Sequence, residues 1–159
     1  VLISYFAPQP PDLESNESLS RYYADIEGIM RSNSGTMFRR LIRKTPANER
    51  WAANICRRLR GCSNVSVALV VDRREQEMPL AMSVQVIDDR YVWLVAIESH
   101  ARSGQYRDLF IDDPLLAKAM VKYNKRLWDI GTPLMNLGRL TEEGGIAGQM
   151  DQSATGSEP

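Results

Sequence analysis

The order of apolar patterns along this chain predicts an α/β (α+β) fold, a mixed β-sheet of about four to six strands packed against helices. Three observations predict it. The N-terminal third carries apolar residues at helical spacing, the middle holds runs rich in β-branched residues, and a long amphipathic segment follows them.

Val1 to Phe6 is a short apolar stretch followed by Pro8, Pro10 and Pro11, which remove amide donors and hold the chain extended. It reads as an edge strand or linker, so residues 1–17 lead into a single α/β domain over 18–140. From Ser18, the residues Leu19, Tyr22, Ile26, Ile29 and Met30 recur at intervals of three and four, with Ser18 or Ser20 as N-cap. Asn33 and Gly35 interrupt this helix. Met37, Phe38, Leu41 and Ile42 then form a second short apolar face that ends before Pro46. A third helix fits Asn48 to Arg60, with Asn48 as cap, Trp51, Ile55 and Leu59 inward, and Gly61 as a left-handed terminator.

The period then changes. Val65 to Val71 is nearly all apolar or β-branched and reads as a strand covered on both faces. Ala81 to Ile87 and Tyr91 to Ile97 pair as a hairpin around the turn Asp88-Asp89-Arg90. Leu109 to Ile111 adds a short strand, after which Asp112 or Asp113 caps a helix with Pro114 at its first position. That helix carries Leu116, Met120, Tyr123 and Leu127 on one face and stops near Gly131-Thr132-Pro133. Residues 141–159, rich in Gly, Ser and acidic side chains and without apolar periodicity, read as a disordered tail.

With 159 residues, 43% apolar and 25% charged, the chain is long enough for one core and falls outside the disordered and disulfide-scaffold classes. Twenty basic and twenty acidic residues sum to zero, so any attraction to nucleic acid or an anionic membrane is local. Cys56, Cys62 and the single histidine, His100, make neither a zinc site nor a disulfide framework, and the two thiols read as buried groups in a cytoplasmic setting. No apolar run approaches the roughly 18 residues of a membrane span. Val1 is no initiator Met, so the chain reads as an excised or processed piece.

The chain has no Gly-rich phosphate loop, GxSxG or HExxH, and nothing in it calls for a cofactor or a metal. Glu98-Ser99-His100 invites a triad, but no nucleophile is placed beside it, and a hydrolase using His100 with Glu98, Asp108 or Asp112 ranks last. The pairs Asp88-Asp89 and Asp112-Asp113 can do acid–base work, or make the turn and the cap just described. Charge is more informative. Arg39, Arg40, Arg43, Lys44, Arg50, Arg57, Arg58 and Arg60 stand against Glu49 alone between Thr36 and Cys62, giving plus seven. Arginine suits bidentate phosphate or carboxylate contacts, so Arg39, Arg40, Arg43, Arg57 and Arg58 are candidate ligand-binding residues. The plainer reading is two solvated helix faces, partnered by acidic residues near Asp12, Glu14, Glu17, Asp25 and Glu27.

The run AMSVQVID, Ala81 to Asp88, falls on the pattern HxKxxxxD, and in this it resembles the phospholipase D-like superfamily. Asp89 to Val95 continues as the paired strand, Val65 to Val71 as the preceding one, and Ile111 to Leu134 looks like the family's closing helix, a coverage of residues 20 to 135. In active members the histidine attacks phosphorus and the lysine stabilises the developing charge. Here those positions are Ala81 and Ser83, and Asp88 alone is kept. The resemblance therefore implies a non-catalytic member, like the sensor or regulatory modules of multidomain bacterial proteins, with an anion-binding cleft that includes Ser83 and Asp88. It also implies a homodimer, as for single-motif members. Such a domain senses a phosphorylated small ligand, mediates self-association or joins another domain of a longer chain. The alternative is a nucleic-acid module using Arg39 to Arg60, whose binding weakens as salt rises.

Overall fold

A computed structural model describes residues 1–6, 9–11, 17–33, 35–71, 82–96 and 107–142. In chain order these hold β1 (Leu2–Tyr5), α1 (Glu17–Ser32), β2 (Phe38–Arg43), α2 (Pro46–Arg58), β3 (Val65–Val70) and β4 (Met82–Ile87). There follow β5 (Tyr91–Ala96), β6 (Arg107–Asp112), α3 (Pro114–Ile130), β7 (Thr132–Asn136) and β8 (Arg139–Leu140). All strands join one sheet in the order β6-β5-β4-β1-β2-β3-β7-β8. β1, β2 and β3 run parallel, and the remaining neighbours are antiparallel. The fold is thus α+β with a mixed sheet, but of eight strands rather than four to six.

Two differences account for the added strands. Phe38–Arg43, expected as a short helix, is β2, held in register by β1 on one side and β3 on the other. The expected terminator at Gly131-Thr132-Pro133 leads directly into β7, which pairs with β3 and then with β8. The opening strand also differs from expectation, because β1 lies between β4 and β2 inside the sheet and is neither edge nor linker.

The helices divide between the two faces. Met30 from α1 and Ala52, Ile55, Cys56 and Leu59 from α2 pack on Ile3, Tyr5, Phe38, Ile42, Val65 and Val67. On the opposite face Leu127 and Trp128 of α3 meet Phe6, Leu41, Ala68 and Val70, and Ala117, Leu116 and Met120 cover Val86 and Val92. β3 is buried along its whole length, as a run without polar alternation requires. Burying each such valine stabilises the fold by roughly 1.5–3 kcal/mol before ordering entropy is counted.

Local chemistry sets the ends. Thr45, not Asn48, caps α2: its side chain accepts from Asn48 N at 3.2 Å with Pro46 next in line, while the buried Asn48 amide donates to Arg43 O at 3.0 Å. α1 begins at Glu17, before the two serines expected to cap it. Asp113 caps α3 as expected, accepting from Leu115 N at 2.8 Å and Leu116 N at 3.2 Å. Gly61 has the expected left-handed backbone, with φ 87. Asp88 and Asp89, at φ 51 and φ 52, build the tight β4–β5 turn, a conformation short polar side chains tolerate. Of residues 141–159, read as a tail, Thr141 is tied to β7, its amide donating to Leu134 O at 3.0 Å, and 143–159 lie outside the described residues; among the described residues no helix is long and apolar enough to cross a membrane.

Candidate functional site

Strand pleat decides where the arginines go. On β2, Phe38, Arg40 and Ile42 point toward α1 and α2, whereas Arg39, Leu41 and Arg43 point toward α3. Arg39 is exposed there, its guanidinium carbon 5.6 Å from the Trp128 ring centre. Arg57 and Arg58 lie on the outer side of α2: Arg57 donates to Asn54 Oδ1 at 2.7 Å, and Arg58 pairs with the buried Glu27 at 2.6 Å. Glu27 is one of the acidic partners expected for these helices, but it is buried and of the pair only Arg58 faces solvent. The five candidate arginines therefore occupy three separate places and do not converge.

Arg40 is the exception in kind. It is 2% exposed, and its guanidinium carbon sits 5.0 Å from the ring centre of Tyr23 on α1 and 5.1 Å from that of Trp51 on α2. The two rings meet edge to face, 5.7 Å apart, and Tyr5 packs against Trp51 from below at 4.8 Å. Nε and Nη1 of Arg40 are buried without a hydrogen-bond partner. Among the described residues no carboxylate pairs with it.

Cross-strand register extends this site along the sheet. Arg40 stands beside Ile3, Ile3 beside Gln85 and Gln85 beside Trp93. Ser83 lies in the next row opposite Tyr5 on the same face. Gln85 and Ser83 are 4% and 6% exposed, so three polar side chains are buried on one face of a sheet. Gln85 donates to the Tyr22 hydroxyl, and the Tyr22 ring meets Trp93 at 5.8 Å. α1 closes the site from above and is tied down by Asn64, whose amide donates to the carbonyls of Met30, Asn33 and Thr36.

Asp88 does not join Ser83. Five residues of strand separate them by about 17 Å, and Asp88 is spent on the exposed turn. Ala81, Glu98 and His100 lie outside the described residues, as does the side chain of Asp108. Asp112 is engaged by Arg90, whose Nε and Nη2 donate to its two oxygens at 2.7 and 2.8 Å, and these bonds hold its carboxyl below the usual range. Burial pushes the Cys56 thiol up to about 12, which leaves it protonated and unreactive at neutral pH. No cluster of three or more His, Cys, Asp or Glu side chains that could hold a metal occurs among the described residues. What the face under α1 offers chemically is a desolvated cation walled by aromatic rings. Tyr22 and Trp51 were read from the sequence only as apolar helix-face residues, and Tyr23 and Gln85 were given no role; the alternation Phe38, Arg40, Ile42 is the signal that could have found them.

The second exposed feature is an edge. Among the described residues β6 pairs with β5 and ends the sheet, with no described strand on its other side. Leu109 is 56% exposed on the α3 face and Phe110 59% exposed on the other, where it stacks on Tyr91 at 5.4 Å.

No protein-family model and no curated protein matches this chain. Among solved structures it is similar to a phospholipase D family member, Nuc from Salmonella typhimurium, at 11% identity and TM-score 0.42, over 84% of this chain and 81% of that one. A likeness of that size carries no weight for fold or activity.

Proposed function

We propose that this chain is a non-catalytic regulatory or interaction domain of phospholipase D-like type, acting in the cytoplasm as a homodimer, with a phosphorylated small ligand as the signal it senses. The observation that carries the reading is β6, the edge strand among the described residues, with Leu109 and Phe110 exposed on it. A six-residue edge strand with exposed apolar side chains is a template for pairing with another chain unless something blunts it. A second copy fits: antiparallel pairing about Phe110 sets Leu109 of one copy opposite Ile111 of the other on one face and brings the two Phe110 rings together on the other face. Lack of turnover is supported by Ser83, which is buried at the position where the resembled pattern has lysine and supplies no cation for a phosphoryl group. A nucleic acid would need one continuous basic face, and the division of Arg39 and Arg43 from Arg57 and Arg58 favours no such reading.

Light scattering on the full chain over a concentration series tests this. A dimer that Phe110→Glu converts to a monomer with unchanged circular dichroism is the expected result. A monomer at the highest concentration reached, or a dimer indifferent to Phe110→Glu, overturns it.

A further inference from the structure

We propose that Arg40 anchors a binding site for an oxyanion, the phosphate or carboxylate group of a small ligand, on the sheet face beneath α1 and α2. The inference deepens the ligand-sensing part of the function proposed above and is independent of self-association, which is read by mass rather than by anion response.

An arginine side chain carries a charge and five N–H donors, so burying it without acceptors for those donors is costly. The Nε and Nη1 donors of Arg40 are nonetheless out of water and unmet. The faces of Tyr23 and Trp51 attract the cation, yet they place no lone pair along an N–H bond, so they offset only part of the lost hydration. A phosphate or carboxylate oxygen supplies both missing elements, the opposite charge and the acceptor, and arginine is the side chain whose donors match such groups. The surroundings fit an anion. Gln85 and Ser83 are buried polar side chains on the same sheet face, two strands from Arg40, and Arg31, Arg57 and Arg58 stand in the last turns of α1 and α2, with Glu27 already engaged by Arg58. The rings around Arg40 stand on α1 and α2, so an arriving anion displaces one of them, and Trp51 reports the event.

The test uses the full chain carrying Trp93→Phe and Trp128→Phe, which leaves Trp51 as the only tryptophan. Inorganic phosphate and acetate are titrated separately against chloride at matched ionic strength, following Trp51 emission and Tm. Expected are a saturable emission change and a Tm that climbs with the logarithm of anion concentration. Arg40→Met weakens that response at least tenfold while melting no lower than the parent in chloride, because it removes a buried unmet charge. Arg39→Met, on the other face, leaves the response intact. A response to phosphate alone or to acetate alone supports the site and names the group it takes. Phosphate and acetate acting no differently from chloride, or Arg40→Met binding like the parent, overturns the proposal. Should Arg40→Met not fold, Arg40→Lys, which keeps the charge and loses the fork, is read instead, and undiminished binding by it overturns the proposal equally.

Discussion

Asn64→Asp changes one buried atom from donor to acceptor and tests how α1 is held over the sheet. Asn64 is 3% exposed, and its Nδ2 lies 3.1 Å from Met30 O, 2.6 Å from Asn33 O and 3.0 Å from Thr36 O. Three carbonyls around one nitrogen fix the amide orientation, since the oxygen in that place would face only other acceptors. Two N–H bonds at about 1 kcal/mol each are lost, and a carboxylate set against carbonyl oxygens adds roughly 1–2 kcal/mol more, for a total near 3–4 kcal/mol at neutral pH. Urea unfolding followed by circular dichroism reads the change as a lower midpoint at unchanged slope. The pH dependence carries a separate signature. A carboxyl facing acceptors is driven toward its protonated form, so its folded pKa lies above the unfolded one, and the deficit is smallest below the unfolded pKa and widens as pH rises. A variant within 0.5 kcal/mol of the parent at neutral pH, or a deficit flat across that range, would refute this account of what holds α1.

Other expectations can be checked alongside. Gly138→Ala should lower stability by about 3 kcal/mol in thermal or urea unfolding, because a Cβ there would stand 2.6 Å from Cys62 O, a backbone atom, at φ +74 where side chains are already strained. Cys56 should resist a thiol reagent in the native state and react once the chain is unfolded, with half-buried Cys62 reacting first. Because burial raises the Cys56 thiol to about 12, its contribution to stability is complete below the unfolded thiol's ordinary pKa and is lost as pH climbs from about 9 toward about 12, which alkaline unfolding curves of Cys56→Ala against the parent would display. Arg90→Gln should bring the Asp112 carboxyl back up toward the ordinary carboxylate range in an NMR titration, since the Arg90 hydrogen bonds are the main cause of its depression.

What the sequence disclosed follows the range of the interactions involved. The β4–β5 hairpin was legible because its cause is local: Asp88 and Asp89 tolerate positive φ between two β-branched runs. The Asp113 cap and Pro114 start of α3 were legible for the same reason. β2 was not. Met37, Phe38, Leu41 and Ile42 satisfy a helical period as well as Phe38, Arg40 and Ile42 satisfy a strand period, and the choice is made by β1 and β3, which close on it from distant parts of the chain. β7 was hidden behind Pro133, a residue that ends helices but sits here in a strand whose register with β3 shifts just beside it. β1 looked like an edge because of the prolines after it, although its burial pattern inside the sheet comes from β2 and β4.

The misread strand is also why the candidate site was only half legible. As a helix, the stretch from Arg39 to Arg43 reads as one basic surface; as a strand it sends Arg39 and Arg43 to one face and Arg40 to the other. Arg90 shows what an ordinary arginine does in this fold: exposed and paired bidentately with Asp112, it resembles surface ion pairs worth little to stability. Arg40 has the opposite situation, full burial and, among the described residues, no acid, and a shorter, apolar methionine there would leave no donors unmet. The contacts with Tyr23 and Trp51 offset only part of the cost of arginine at this position. An incoming acceptor supplies the rest, and it turns a buried, unmet cation that stability disfavours into the group that binding requires.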